Sequence, residues 1–148
     1  CAEWLRGLET QRLSCLCFST ARSILFNEAL SQRVDESSWN RLLPGDQANL
    51  DGSGSVFDVT EIDSDLQRRC NEMDLHPAGV LAGDGSGIGP LAWQRALNTG
   101  RVAAGTRSLR LPLRDLAVEI DTECLVLRVT LPRGAFATAV LRELCRWH

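Results

Sequence analysis

Leu131-Pro-Arg-Gly-Ala-Phe-Ala-Thr-Ala-Val-Leu-Arg-Glu-Leu144 changes its hydrophobic period part-way along, and that change decides the fold. Ahead of it Leu125, Leu127, Val129 and Leu131 alternate with Val126, Arg128 and Thr130, the period of two of a half-buried strand. Pro132-Arg133-Gly134 interrupts the strand, and Gly134 permits a backbone turn that a bulkier residue resists. From Ala135 onward Phe136, Val140, Leu144 and Trp147 recur at helical spacing. A strand that passes through such a turn into a helix leaves unpaired N–H groups at the helix start, a seat suited to phosphate. Phe136 stands in that first turn, where its ring either packs as core or stacks on a base.

Working outward, Leu116, Val118 and Ile120 alternate with Ala117, Glu119 and Asp121 and predict a second strand. It returns through Asp121–Cys124, and the antiparallel pair with the C-terminal helix is expected to bury one face. Near the other end, residues 1–18 are weakly helical, and Ser19 or Thr20 can cap a helix from Ala21 to about Val34. Its expected apolar side is Ile24, Leu25, Ala29 and Leu30, with Arg22 and Asn27 as structural hydrogen-bonding residues. A polar linker then closes on the turn Pro44-Gly45-Asp46. Ala48–Leu50 and Ser55–Val59 flank Asp51-Gly-Ser-Gly54 as a β-hairpin. Ile62–Met73 reads as a helix, Asp74–Pro90 as a long Gly- and Pro-rich loop containing His76, Leu91–Leu97 as a short helix, and Asn98–Ser108 as loop.

Composition excludes several classes. At 148 residues the chain can build a real core, and its 44% hydrophobic and 24% charged residues are ordinary for a globular protein. No apolar run approaches the roughly 18 residues that span a bilayer. The opening Cys-Ala-Glu-Trp-Leu-Arg lacks both an initiator Met and a signal-peptide layout, and reads as a cut into something longer. Six Cys lack zinc-ligand spacing and have only His76 and His148 for company, so no metal is expected; reduced thiols in a cytoplasmic protein fit better. The Asp51 loop has no Lys for a P-loop and no Glu where an EF-hand needs one. Net charge is −3, but residues 109–148 hold 6 Arg against 5 acidic residues, whereas residues 1–108 hold 10 against 14. The residues alone compose no catalytic constellation.

Three ordered blocks nevertheless carry a resemblance. LPRGAFATAVLREL (131–144) is similar to the C-terminal signature of the TruD family of tRNA pseudouridine synthases, roughly LPxGS(F/Y)ATxVLREL. Ser19–Asn27 (STARSILFN) resembles that family's SAARSxLFN, and Leu43–Phe57 resembles its PGD…LxGSxSxF. The resemblance implies an α+β chain in two parts. Residues 1–110 would be the family's inserted mixed helix/hairpin domain, partial and shortened near 98–108. Residues 111–148 would be an antiparallel hairpin plus C-terminal helix, the last part of the pseudouridine synthase catalytic domain.

The implied reaction isomerises a uridine, at position 13 of tRNA, to pseudouridine. An Asp nucleophile attacks a flipped-out uridine, the glycosidic bond breaks, and uracil turns and rejoins through carbon 5 without a cofactor. Gripping an unstacked base calls for aromatic and apolar walls. By resemblance the substrate-binding residues are Phe136, Gly134 and Arg142, with Arg142 and Glu143 matching the family's RE pair as either a pocket support or a surface ion pair. The family's GxKD-type motif, which carries the nucleophile, is absent from residues 1–148, so no catalytic Asp is assigned. The expected partners are tRNA and the missing N-terminal half of the same protein, and this chain alone should be inactive. The competing reading is a non-catalytic RNA- or protein-binding remnant.

Overall fold

A computed structural model describes residues 11–132 and 135–144. They divide into two compact units, one ending at Arg110 and the other beginning at Leu111. Both combine helices with antiparallel strands, so the chain is α+β.

The first unit opens with α1, Gln11–Asp35. The cap expected at Ser19 or Thr20 is not there, because the helix runs straight through both. Thr20 Oγ1 donates to the Leu16 carbonyl at 2.8 Å, the bond a Thr makes inside a helix rather than at its start. Residues 1–10 of the weakly helical opening lie outside the described residues. The buried side of α1 is also displaced from the expected one: Ala21 and Phe26 are its buried apolar residues, while Ile24 is 43% exposed. Two glycines let this face come close. A Cβ on Gly89 would lie 2.7 Å from Leu25, and one on Gly100 would lie 2.7 Å from Phe18.

The hairpin forms as its sequence predicts, β1 (Gln47–Leu50) pairing with β2 (Val56–Asp58) around positive-φ Gly52 and Gly54. The helix that follows, α2, is Ser64–Asn71, shorter than expected at both ends. Asp63 starts it by accepting the Leu66 N–H at 2.7 Å. Leu42, Ala48, Val59 and Cys70 make the buried apolar cluster here, with Phe57, Ile62 and Leu66 packed against it.

The largest departure is at residues 74–90. Leu75–Leu81, expected as loop, is β3, and it lies inside a four-stranded sheet of order β2-β1-β3-β4. The fourth strand, β4 (Gly105–Ser108), occupies the end of the other expected loop. Leu75, His76, Pro77 and Ala78 are all buried, so the strand is covered on both faces and shows no polar–apolar alternation. Pro77 is tolerated because its missing N–H falls at the end of the ladder: β3 pairs with β4 only from Ala78 onward. The Pro77 carbonyl, on the same side, accepts the Leu109 N–H at 2.8 Å. The helix α3, Leu91–Thr99, lies between these strands in sequence.

The second unit is a hairpin of β5 (Arg114–Ile120) and β6 (Leu125–Thr130), followed by α4 (Ala137–Leu144). Val118 pairs with Leu127 and Ile120 with Leu125, and the register shifts between Arg114 and Ala117, near Asp115 at φ 51°. The expectation that hairpin and helix would bury a face between them is not met. Val140 is buried, but Leu116, Val118 and Ile120 are 46%, 51% and 80% exposed. Two strands and two turns of helix have too little surface to close a core.

Candidate functional site

The signature region places Phe136 just before α4, with its carbonyl accepting the Ala139 N–H at 3.0 Å. The ring is 72% exposed, so of the two readings open in the sequence, packing as core is not the one this structure adopts. Phe136 and buried Val140 share one side of the helix, four residues apart. Arg142 follows Val140 by two residues, roughly 200° around the helix, and is exposed. Phe136 and Arg142 therefore do not converge through the helix that carries them. Glu143 is exposed too, and neither it nor Arg142 forms an ion pair with a described residue. Gly134 lies outside the described residues. What this unit offers chemically is an accessible aromatic side chain at the start of α4 and a hairpin whose Leu116, Val118 and Ile120 are exposed.

The polar chemistry of the first unit is elsewhere, and sequence reasoning missed most of it. His76, expected on a loop, sits in β3 at 3% exposure. Its Nε2 faces Asp51 Oδ1 at 3.1 Å, and its Nδ1 accepts from Arg110 Nε at 2.9 Å. A guanidinium can only donate, so Nδ1 carries no proton, and the ring N–H is on Nε2, directed at the carboxylate. Arg110 Nη2 also donates to the carbonyls of Cys70 at 2.6 Å and Leu75 at 2.5 Å, and Nη1 to that of Asn40 at 3.3 Å. Both ring nitrogens of His76 are engaged, which leaves it unsuited to general-base work. Arg22 has the structural role expected of it, donating from Nη2 to the Ala103 carbonyl at 3.0 Å. The signal that marks Asp46 and Asp51 in the sequence is their position in the resembling block Leu43–Phe57.

A second polar centre joins α1 to the Pro44-Gly45-Asp46 turn through Arg33 and Asp46. It borders a cleft of about 240 Å³ that Ala29, Gln32, Ala78, Gly79 and Leu109 also line. That is below the roughly 300 Å³ at which small-molecule pockets begin, and it reads as imperfect packing of α1 on the sheet. Among the described residues no group of three His, Cys, Asp or Glu could hold a metal, and no helix is long and apolar enough to cross a membrane.

No protein-family model matches the chain. Curated relatives do. The chain is 40% identical over 147 residues to tRNA pseudouridine synthase D of Psychrobacter arcticus, with 85% of this chain covered. This chain belongs to that family. To the tRNA pseudouridine synthase D of Methylococcus capsulatus it is 38% identical over 147 residues, with 87% of this chain covered. To that of Nitrosococcus oceani it is 35% identical over 162 residues, with 97% covered. The chain spans 36%, 41% and 45% of the lengths of these three pseudouridine synthase D relatives.

Proposed function

We propose that this chain works as one part of a tRNA pseudouridine synthase, isomerising uridine to pseudouridine in tRNA, by resemblance at position 13. The observation that carries the reading is the match to proteins bearing that name along 85% to 97% of this chain. On this reading residues 1–110 are the inserted domain and residues 111–148 the C-terminal part of the catalytic domain.

The working surface is the start of α4. Phe136, already accessible, would line the uridine pocket as an apolar wall for the flipped base. Gly134 would let backbone approach the substrate there, and Arg142 would support the pocket from its polar side. The nucleophilic Asp belongs to the part of the enzyme that carries the GxKD-type motif, and so does the remainder of the catalytic sheet. An open two-stranded hairpin with half-exposed Leu116 and Val118 suits a piece that completes a larger sheet.

The test uses this chain, the separately produced remainder of a relative, and a tRNA transcript. Pseudouridine should form only when both pieces are present. Turnover by the chain alone would overturn the assignment of the nucleophile to the other part. No turnover from a complex shown to have assembled would favour a non-catalytic remnant instead.

A further inference from the structure

His76 Nδ1 has one lone pair in the ring plane, and Arg110 Nε–H occupies it at 2.9 Å. The position can hold that N–H or a proton of its own, and not both. On the other side of the ring, Asp51 Oδ1 lies 3.1 Å from Nε2. The arrangement is carboxylate, neutral imidazole and guanidinium in a row, with the His76 side chain 4% and the Asp51 side chain 27% exposed. The other charged groups nearby are in use: Asp74, two residues before His76, pairs with Arg69 at 2.6 Å. Cys70 contributes its carbonyl to Arg110 and directs its Sγ at the Asn40 carbonyl at 3.7 Å. Arg110 is moreover the last residue of the first unit, and its guanidinium ties that end to Asn40, Cys70 and Leu75 together.

We propose that Asp51, His76 and Arg110 form a proton-operated latch on the residue where the chain leaves its first unit. With Nδ1 bare, the latch is closed and Arg110 is held at four points. A proton taken from solvent onto Nδ1 turns that nitrogen into a donor facing a donor, with two cations in contact. Asp51 stabilises the imidazolium from the far side, so the group that gives way is Arg110. Its release takes the donors from three backbone carbonyls at one stroke and frees the segment that leads to Leu111. The latch is independent of the proposed catalytic activity.

The experiment is a pH titration of the whole chain by nitrogen-15 NMR. It follows the His76 ring nitrogens, the Arg110 Nε–H and the Leu109 N–H, the last of which donates to Pro77 beside the latch. At high pH the Nε2–H tautomer and a slowly exchanging Arg110 Nε–H are expected. As His76 takes up its proton, the protection of both N–H groups, measured against their intrinsic exchange rate at the same pH, should fall together by on the order of ten- to a hundredfold, the effect of losing a hydrogen bond to a charged group. In Asp51→Asn this loss of protection should move to lower pH, because the imidazolium has lost its anion. An Nδ1–H tautomer at high pH overturns the proposal. So does an Arg110 signal that survives protonation of His76, or an Asp51→Asn response that stays in place or moves to higher pH.

Discussion

Arg33 grips Asp46 with both prongs of its guanidinium, Nη1 to Oδ1 at 2.8 Å and Nη2 to Oδ2 at 2.9 Å. Only 15% and 14% of the two side chains remain exposed. The same Nη2 reaches the carbonyls of Ser38 and Arg41, and Asp46 also accepts the Leu43 N–H at 2.8 Å. One pair thus fastens the end of α1, the linker after it and the turn that leads into β1.

Because the pair is mostly out of water, removing one partner leaves the other charge stranded. Asp46→Ala should destabilise the first unit by about 3 kcal/mol, read as a lower urea midpoint with unchanged slope. Arg33→Lys should recover only part of this, since an ammonium is a single point and cannot span both carboxylate oxygens. Equal stability of Arg33→Lys and the natural chain would show that the two-pronged geometry contributes nothing.

Among the described residues, the three helices of the first unit end alike. After α1, Ser38 N–H reaches back to the Arg33 carbonyl; after α2, Asp74 to Arg69; after α3, Val102 to Leu97. The residue before each, Ser37, Met73 and Arg101, is left-handed at φ 52°, 66° and 49°. These are helix-ending motifs in which glycine is the usual occupant. Replacing Ser37 or Met73 with Gly should raise stability by roughly 0.5–1 kcal/mol each, as an upward shift in thermal midpoint. A loss at both positions would contradict the backbone described.

Thr20 separates two accounts of α1. As a cap, its loss to Ala would cost about 1 kcal/mol. Inside a continuous helix, where its hydroxyl bonds the Leu16 carbonyl, Thr20→Ala should be neutral or stabilising by up to roughly 0.7 kcal/mol. Equilibrium unfolding of the single variant decides the matter by its sign.

Phe136 is a test of the proposed function alone. With the ring 72% exposed, Phe136→Ala should change the stability of the isolated chain by less than about 0.5 kcal/mol. In an enzyme assembled with the separately produced remainder of a relative it should lower pseudouridine formation at least about tenfold, the effect of losing one base contact of 1–3 kcal/mol. Full activity with Ala at this position would remove Phe136 from the pocket.

Much of the chain could be read from its residues because the information was local. The alternation of β6, the loop of the β1–β2 hairpin and the period of α4 each declare themselves within a few residues, since backbone geometry repeats over that span. The resembling blocks likewise lie in the linear order of residues, and the relatives that match the chain bear the family name expected from them. Helix ends were less legible: Ser37 and Met73 lack the glycine that usually marks such a stop.

Only the tertiary structure decided what His76-Pro77-Ala78 would be. A strand buried on both faces has no alternation to display, and the partners that make it a strand stand far away: Asn49 opposite His76, Ser108 opposite Ala78. The same holds for the charges. Arg110 finds His76 across 34 positions, and Arg33 finds Asp46 across 13. Local sequence sets which conformations a segment prefers, but burial and long-range pairing are properties of the assembled chain, and they alone turned an apparent loop into the middle of a sheet.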